Sequence, residues 1–289
     1  MGSGRCGSTI LGVALGNSEG AFFVGELDRW LPAEGRPVLG GSERTRFWSA
    51  VRSRVDADPE LLSGRTRDSF ERALGLLSPR SRRWSRRLRP AYRSTTERLY
   101  RAIAAEAGAT QIVESSHFPL RAQELKAIDG IELYLIFLVR HPQSVMASFT
   151  KNVNRNDHPA MLRRILTTNL DLWATHLLAI RTFLGHPVQR RLFMRYEEFT
   201  ADPRAVLERV LEMVGSAADV PDLGHLSTGF PMGGNRLLRS DFVALGAETP
   251  RPARTEPITA VLQAPFEALF ARLGPVAAGT RAGMPAAAR

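Results

Sequence analysis

Short apolar runs punctuate the chain, and longer stretches of helical periodicity separate them. Residues 21–24 are apolar and bounded by Gly20 and Gly25; 111–113 form a second run, 131–139 the longest and 192–196 a fourth. Runs of this length, rich in Val, Ile, Leu and Phe, predict strands buried on both faces. Leu162, Ile165, Leu166, Leu170, Trp173 and Leu177 recur at helical spacing and predict a long amphipathic helix with that set turned to the core. Asp202-Pro203 opens another helix, with Leu207, Val210, Leu211 and Val214 on one face and Gly215 as its stop. Residues 43–108 read as almost wholly helical. The alternation predicts an α/β fold, a parallel sheet flanked by helices, with 43–108 inserted as a helical cap over one end. The expected organisation is a single domain over 1–273 and a disordered Ala/Gly/Pro-rich tail over 274–289.

Composition narrows the class. A chain of 289 residues, 44% hydrophobic and 24% charged, is a globular protein with ample core. One cysteine, Cys6, excludes a disulfide framework and a multi-cysteine zinc site. The longest uncharged apolar stretch, 133–139, is too short to cross a bilayer, and the apolar segment 8–16 runs into Gly-Asn-Ser-Glu rather than a cleavage site. The expectation is a soluble, cytoplasmic protein. The formal charge of +10 concentrates in Arg80, Arg82, Arg83, Arg86, Arg87, Arg89 and Arg93, without which it falls to +3. That patch reads either as a solvated helix face or as a weak contact for anionic surfaces.

Two segments carry chemistry. The chain opens Gly2-Ser3-Gly4-Arg5-Cys6-Gly7-Ser8-Thr9 and continues into apolar Ile10, Leu11, Ala14 and Leu15. A glycine-rich loop feeding a helix presents backbone N–H groups and the positive end of a helix dipole to an anion. Taken alone, such a stretch equally describes a flexible terminus. It lacks the Gly-Lys-Ser/Thr ending of a nucleoside-triphosphate loop. The second segment, Arg140-His141-Pro142 through Ser148, follows the strongest strand. An arginine at the carboxyl end of a strand stands where open α/β sheets bind ligands, and Ser148 lies on the helix that Pro142 starts.

Together these residues resemble the sulfotransferases that use 3′-phosphoadenosine 5′-phosphosulfate (PAPS), particularly bacterial ones. Gly4, Arg5, Cys6, Gly7, Ser8 and Thr9 resemble the family's 5′-phosphosulfate loop, with Cys6 where Ser is usual; Arg140 and Ser148 resemble its 3′-phosphate motif. Val24-Gly25-Glu26-Leu27, Arg195-Tyr196-Glu197-Glu198-Phe199 and Gly234-Asn235-Arg236 agree in order and spacing, so the likeness runs from residue 2 to about 272. It implies transfer of a sulfuryl group from PAPS to a hydroxyl of a small-molecule, glycan or lipid-like acceptor. Adenosine 3′,5′-bisphosphate would be the product, with no metal and no specific nucleic-acid partner. Tyr196, Asn235 and Arg236 are implied in the nucleotide site.

His117, in Glu114-Ser115-Ser116-His117-Phe118-Pro119, matches the family's catalytic histidine and is the expected general base; Glu26 is the rival, able also to bind a hydroxyl or neutralise Arg5. Arg5 is implied to stabilise charge on the leaving oxygen. Trp30, Trp48 and Trp84 read as acceptor-pocket lining or as core. The family carries a strand directly before the loop, where this chain has Met1, and the expectation is a start site upstream. Two rival readings remain: a P-loop phosphotransferase, and a non-enzymatic polyanion binder acting through residues 80–93.

Overall fold

The computed structural model describes residues 1–72, 78–151, 153–154, 157–246 and 256–273. The expected tail lies outside the described residues. Helix α1 (Ser8–Gly16) leads to strand β1 (Ala21–Gly25), then α2 (Ser42–Ser53), α3 (Gly64–Phe70) and the long α4 (Pro79–Ala107). Strand β2 (Gln111–Glu114), α5 (Pro119–Lys126), β3 (Leu135–Val139), α6 (Pro142–Thr150) and α7 (His158–Leu184) follow. The chain continues through β4 (Arg191–Arg195), α8 (Tyr196–Ala201), α9 (Pro203–Met213), the short β5 (Leu226–Ser227) and β6 (Phe242–Val243), and α10 (Pro257–Leu273). The α/β class therefore agrees with the pattern of apolar positions, and the described residues of 43–108 carry α2, α3 and α4.

The parallel strands form two pairs rather than one continuous sheet. β1 pairs with β2, Phe22 opposite Ile112, and β3 with β4, Phe137 opposite Phe193. Met1 and Gly2 lie against β3: Gly2 bridges Leu138 in the parallel sense. The predicted strand over 131–139 is shorter than expected, because β4 begins opposite Leu135 and gives 131–134 no partner. Tyr196 starts a helix instead of ending a strand.

The predicted inner face of α7 is corrected. Leu162, Leu166, Leu170 and Leu177 are exposed, Leu170 by 70%, while Ile165, Thr168, Asn169, Leu172, His176, Ala179 and Phe183 are buried. Polar residues can take the inner face because α10 satisfies them. The Asn169 side-chain amide donates to Thr259 Oγ1 at 3.0 Å, and Gln263 Nε2 donates to Asn169 Oδ1 at 2.8 Å.

Among the described residues three apolar clusters hold the elements. One lies between β1 and α2–α4, and takes up Trp30, Trp48 and Trp84, so the structure places all three tryptophans in the core. A second joins α1, α9 and the strand pairs through Leu11, Leu138, Met194 and Leu207; a third joins β3 and β4 to α7 and α10 through Phe137, Phe183, Phe193 and Phe270. The arginine patch on α4 is partly spent on carboxylates: Arg87 pairs with Glu60, and Arg89 and Arg93 both hold Glu124.

Candidate functional site

The glycine-rich opening closes into a tight loop in front of α1. Arg5 takes a left-handed φ of 67°, rare for a residue with a side chain, and Gly7 caps the helix at φ 96°. The N-cap residue of α1 supplies no side-chain bond to the helix, and the Ser8 amide and hydroxyl lie against the Cys6 thiol. Gly7 is required twice over: a Cβ there would lie 2.2 Å from the Tyr196 ring as well as demanding the strained φ. Cys6 turns inward. Its side chain is 1% exposed among Leu11, Leu138 and Met194, and burial pushes the thiol up.

Arg140 follows β3 and reaches back to the loop. Its guanidinium donates to the Arg5 carbonyl at 3.3 Å and lies over the Tyr196 ring, 4.5 Å from the centroid. Its buried Nε has no hydrogen-bond partner among the described residues, nor does Arg140 form an ion pair with any described carboxylate. A buried N–H left open on a cation is an anion-binding feature, since leaving it unmatched costs about 1–3 kcal/mol. The turn into α6 is held by Glu197, whose Oε1 accepts from the His141 amide at 3.0 Å. Ser148 sits half-buried on α6, beside Phe149, and Phe149 packs against both Gly4 and Arg5.

His117 stands beside the same loop. Its Nε2 lies 3.9 Å from where a Gly4 Cβ would be, its ring packs on Phe118 with centroids 4.2 Å apart, and its carbonyl accepts from Gly2 N–H at 3.3 Å. Burial lowers its pKa; Asp28 and Asp171 oppose that and Arg67 adds to it. The imidazole is therefore neutral at pH 7, the form that accepts a proton.

Asp28, which the sequence reading passed over, anchors this corner. It is buried, pairs with Arg67 at 2.7 Å, and accepts from Ser116 Oγ at 2.9 Å while its own N–H donates back to Ser116 at 3.2 Å. Arg67 lies over Phe118. The only signal in the sequence is position: Asp28 is two residues past Glu26, and Ser116 directly precedes His117.

The structure brings residues 4–9, His117, Arg140 and Tyr196 around one loop. Glu26 stands apart from Arg5. Its carboxylate pairs with Arg29 at 2.6 Å and forms no ion pair with Arg5, and its N–H donates to the Gly233 carbonyl at 2.9 Å. That bond brings the 233–236 loop to the end of β1, and Gly234 approaches Thr9 at the start of α1. Asn235 and Arg236 lie on this loop, both exposed; the Asn235 side chain caps its own turn by accepting from Leu237 N–H at 2.8 Å. No cluster of metal-ligating side chains occurs among the described residues, and none of their helices is long and apolar enough to cross a membrane.

The sequence profile of the sulfotransferase family matches residues 1–219. This chain belongs to that family. The sulfotransferase also shares its fold with two solved structures. The sulfotransferase domain from the curacin biosynthetic pathway superposes with a TM-score of 0.52 at 14% identity, over 92% of this chain and 95% of that one. The sulfotransferase domain of the Synechococcus PCC 7002 olefin synthase superposes with a TM-score of 0.53 at 18% identity, over 92% of both chains. No curated protein matches significantly by sequence. The P-loop-type α/β fold is thus the sulfotransferase fold, and the phosphotransferase and polyanion-binder readings give way to sulfuryl transfer.

Proposed function

We propose that this sulfotransferase takes its sulfuryl group from PAPS and places it on an acceptor hydroxyl. The observation that carries the reading is Arg140: a half-buried cation whose Nε is buried and open, lying over the Tyr196 ring and hydrogen-bonded to the loop that opens α1. In this reading Arg140 and Ser148 receive the 3′-phosphate, and the amides of residues 6–9 with Arg5 receive the 5′-phosphosulfate. Tyr196, Asn235 and Arg236 border the nucleotide.

The acceptor oxygen attacks sulfur in line. A new S–O bond forms as the bond from sulfur to the bridging oxygen breaks, and that oxygen leaves with its electron pair on adenosine 3′,5′-bisphosphate. Arg5 and the α1 N-terminus stabilise the growing charge, fixed in place before the reaction begins. His117 takes the acceptor's proton on its neutral ring; Glu26, bound to Arg29, is the weaker candidate because that cation already engages it. Sulfuryl carries less charge than phosphoryl, so the transfer needs no metal clamp.

Calorimetric titration with adenosine 3′,5′-bisphosphate, 5′-AMP and ATP tests the donor assignment. Selective binding of the bisphosphate that disappears in Arg140→Ala supports it. Equal affinity for 5′-AMP, or binding untouched by the substitution, overturns it.

A further inference from the structure

His117 lies on the turn that leaves β2, and its neighbours on both sides are held from elsewhere in the chain. Ser116 is held by Asp28, on the turn that leaves β1: its hydroxyl donates to Asp28 Oδ1 at 2.9 Å and accepts from the Asp28 N–H at 3.2 Å. Phe118 is covered by the Arg67 guanidinium, 5.2 Å from its ring centroid, and the His117 ring packs on the same ring with centroids 4.2 Å apart. Arg67 Nε meets Asp28 Oδ2 at 2.7 Å and closes the circuit. Asp28, Ser116, Phe118 and Arg67 thus enclose the one residue between Ser116 and Phe118, which is His117.

The members come from separate elements. β1 and β2 are paired as far as Gly25 opposite Glu114, and the Ser115 N–H donates to the Gly25 carbonyl at 2.9 Å. The ladder ends there, and the two bonds between Asp28 and Ser116 continue the connection. Arg67 arrives from α3, within the helical segment that packs on β1. The circuit also decides the charge beside the imidazole. The Asp28 side chain is 1% exposed, so its carboxylate is out of water and Arg67 is the cation that balances it. Burial is the main cause that lowers the His117 pKa; Asp28 is the strongest charge opposing it, Asp171 on α7 acts in the same sense, and Arg67 and the Met1 ammonium act against. A carboxylate beside the ring favours the imidazolium that forms when a base takes up a proton, and the arginine limits that pull.

We propose that Asp28 is the positioning residue for His117, acting through Ser116 on one side and through Arg67 and Phe118 on the other. It deepens the reading of His117 as the base and rests on it. The buried carboxylate holds the turn so that His117 Nε2 stays beside Gly4 of the phosphosulfate loop. Because Arg67 belongs to the 43–108 segment, the seating of that segment on β1 completes the arrangement.

The test compares Asp28→Asn and Arg67→Gln with the parent. The His117 pKa is read from its imidazole Cε1–H resonance, assigned with His117→Gln, and kcat and bisphosphate affinity are measured beside it. Asp28→Asn removes the charge and keeps an oxygen for Ser116, so the pKa should fall further; Arg67→Gln should raise it. Both should cut kcat about tenfold or more and leave bisphosphate affinity unchanged. A merely structural contact predicts otherwise: a loosened turn would wet the ring and move the pKa in both variants up toward the ordinary value of about 6.5. An upward or absent shift in Asp28→Asn overturns the proposal. Should that variant fail to fold, Ser116→Ala keeps the ion pair and Ser116→Thr keeps the hydroxyl as well; kcat should fall in the first and recover in the second. Equal kcat in those two, where His117→Gln is inactive, overturns the proposal. Full activity in His117→Gln instead removes the base assignment, and the pKa shifts, which involve no sulfuryl transfer, still decide whether Asp28 holds His117.

Discussion

The guanidinium carbon of Arg140 sits over Tyr196, 4.5 Å from the ring centroid, while the same group donates to the Arg5 carbonyl. The Nε of the same group is buried and has no partner among the described residues. Arg140→Lys keeps the charge but loses the planar fork and much of the stack, so bisphosphate affinity should fall at least tenfold, approaching Arg140→Ala. Tyr196→Leu should lose less, through a misplaced Arg140. Isothermal titration of the three variants checks the order; a lysine variant that binds like the parent contradicts it.

Gly7→Ala should be the most damaging small change in the loop. The added Cβ meets Tyr196 at 2.2 Å, and the left-handed φ penalises any side chain. Loop and ring cannot both stay, so donor binding and activity should be lost while far-UV circular dichroism keeps its helical signal. Retained affinity would mean that Tyr196 moves freely.

His117 sets an acid limit on activity if it is the base. Its pKa is lowered by burial, so kcat/KM should rise through a value below the ordinary 6.5 and then level off. Asp171, on the exposed side of α7, pulls that pKa up; Asp171→Asn should therefore shift the limb to lower pH. His117→Gln should abolish the limb and cut kcat by two orders of magnitude or more. Full activity in His117→Gln would transfer the role to Glu26.

Arg121 holds a buried ionic knot, bonded to Glu71 at 3.0 Å, to Tyr92 at 2.9 Å and to Glu114, which Tyr100 also contacts. Arg121→Met leaves carboxylates buried without their cation and should cost about 3–5 kcal/mol in urea unfolding. Burial already pushes Glu71 up to about 8, above its unfolded value, so its penalty grows as pH rises from about 4.5 toward 8. The parent's stability should therefore fall more steeply from pH 5 to pH 8 than that of Glu71→Gln. Equal slopes would contradict this account.

What the sequence disclosed was local. Gly20 and Gly25 bracket β1, Pro142 starts α6 and Asp202 caps α9, because each signal acts within a few residues. The orientation of α7 was not legible. Its inner polar residues are satisfied by Thr259 and Gln263, 90 or more positions away, and no local pattern announces such a partner. The site divides the same way. Residues 4–9 and Arg140 declare themselves by motif, whereas Asp28 and Arg67 matter only because folding brings them to Ser116 and Phe118. Cys6 stands where the family usually has Ser, yet its side chain is buried in the core.

That inward thiol makes the sole cysteine a clock for the loop. Its sulfur is covered and its thiolate disfavoured, so an alkylating reagent can reach it only in the moments when residues 2–9 lift away from Leu138 and Met194. The labelling rate of the unmodified chain consequently reports how often this segment detaches. Any ligand that fastens the segment must slow that rate, whatever its chemistry.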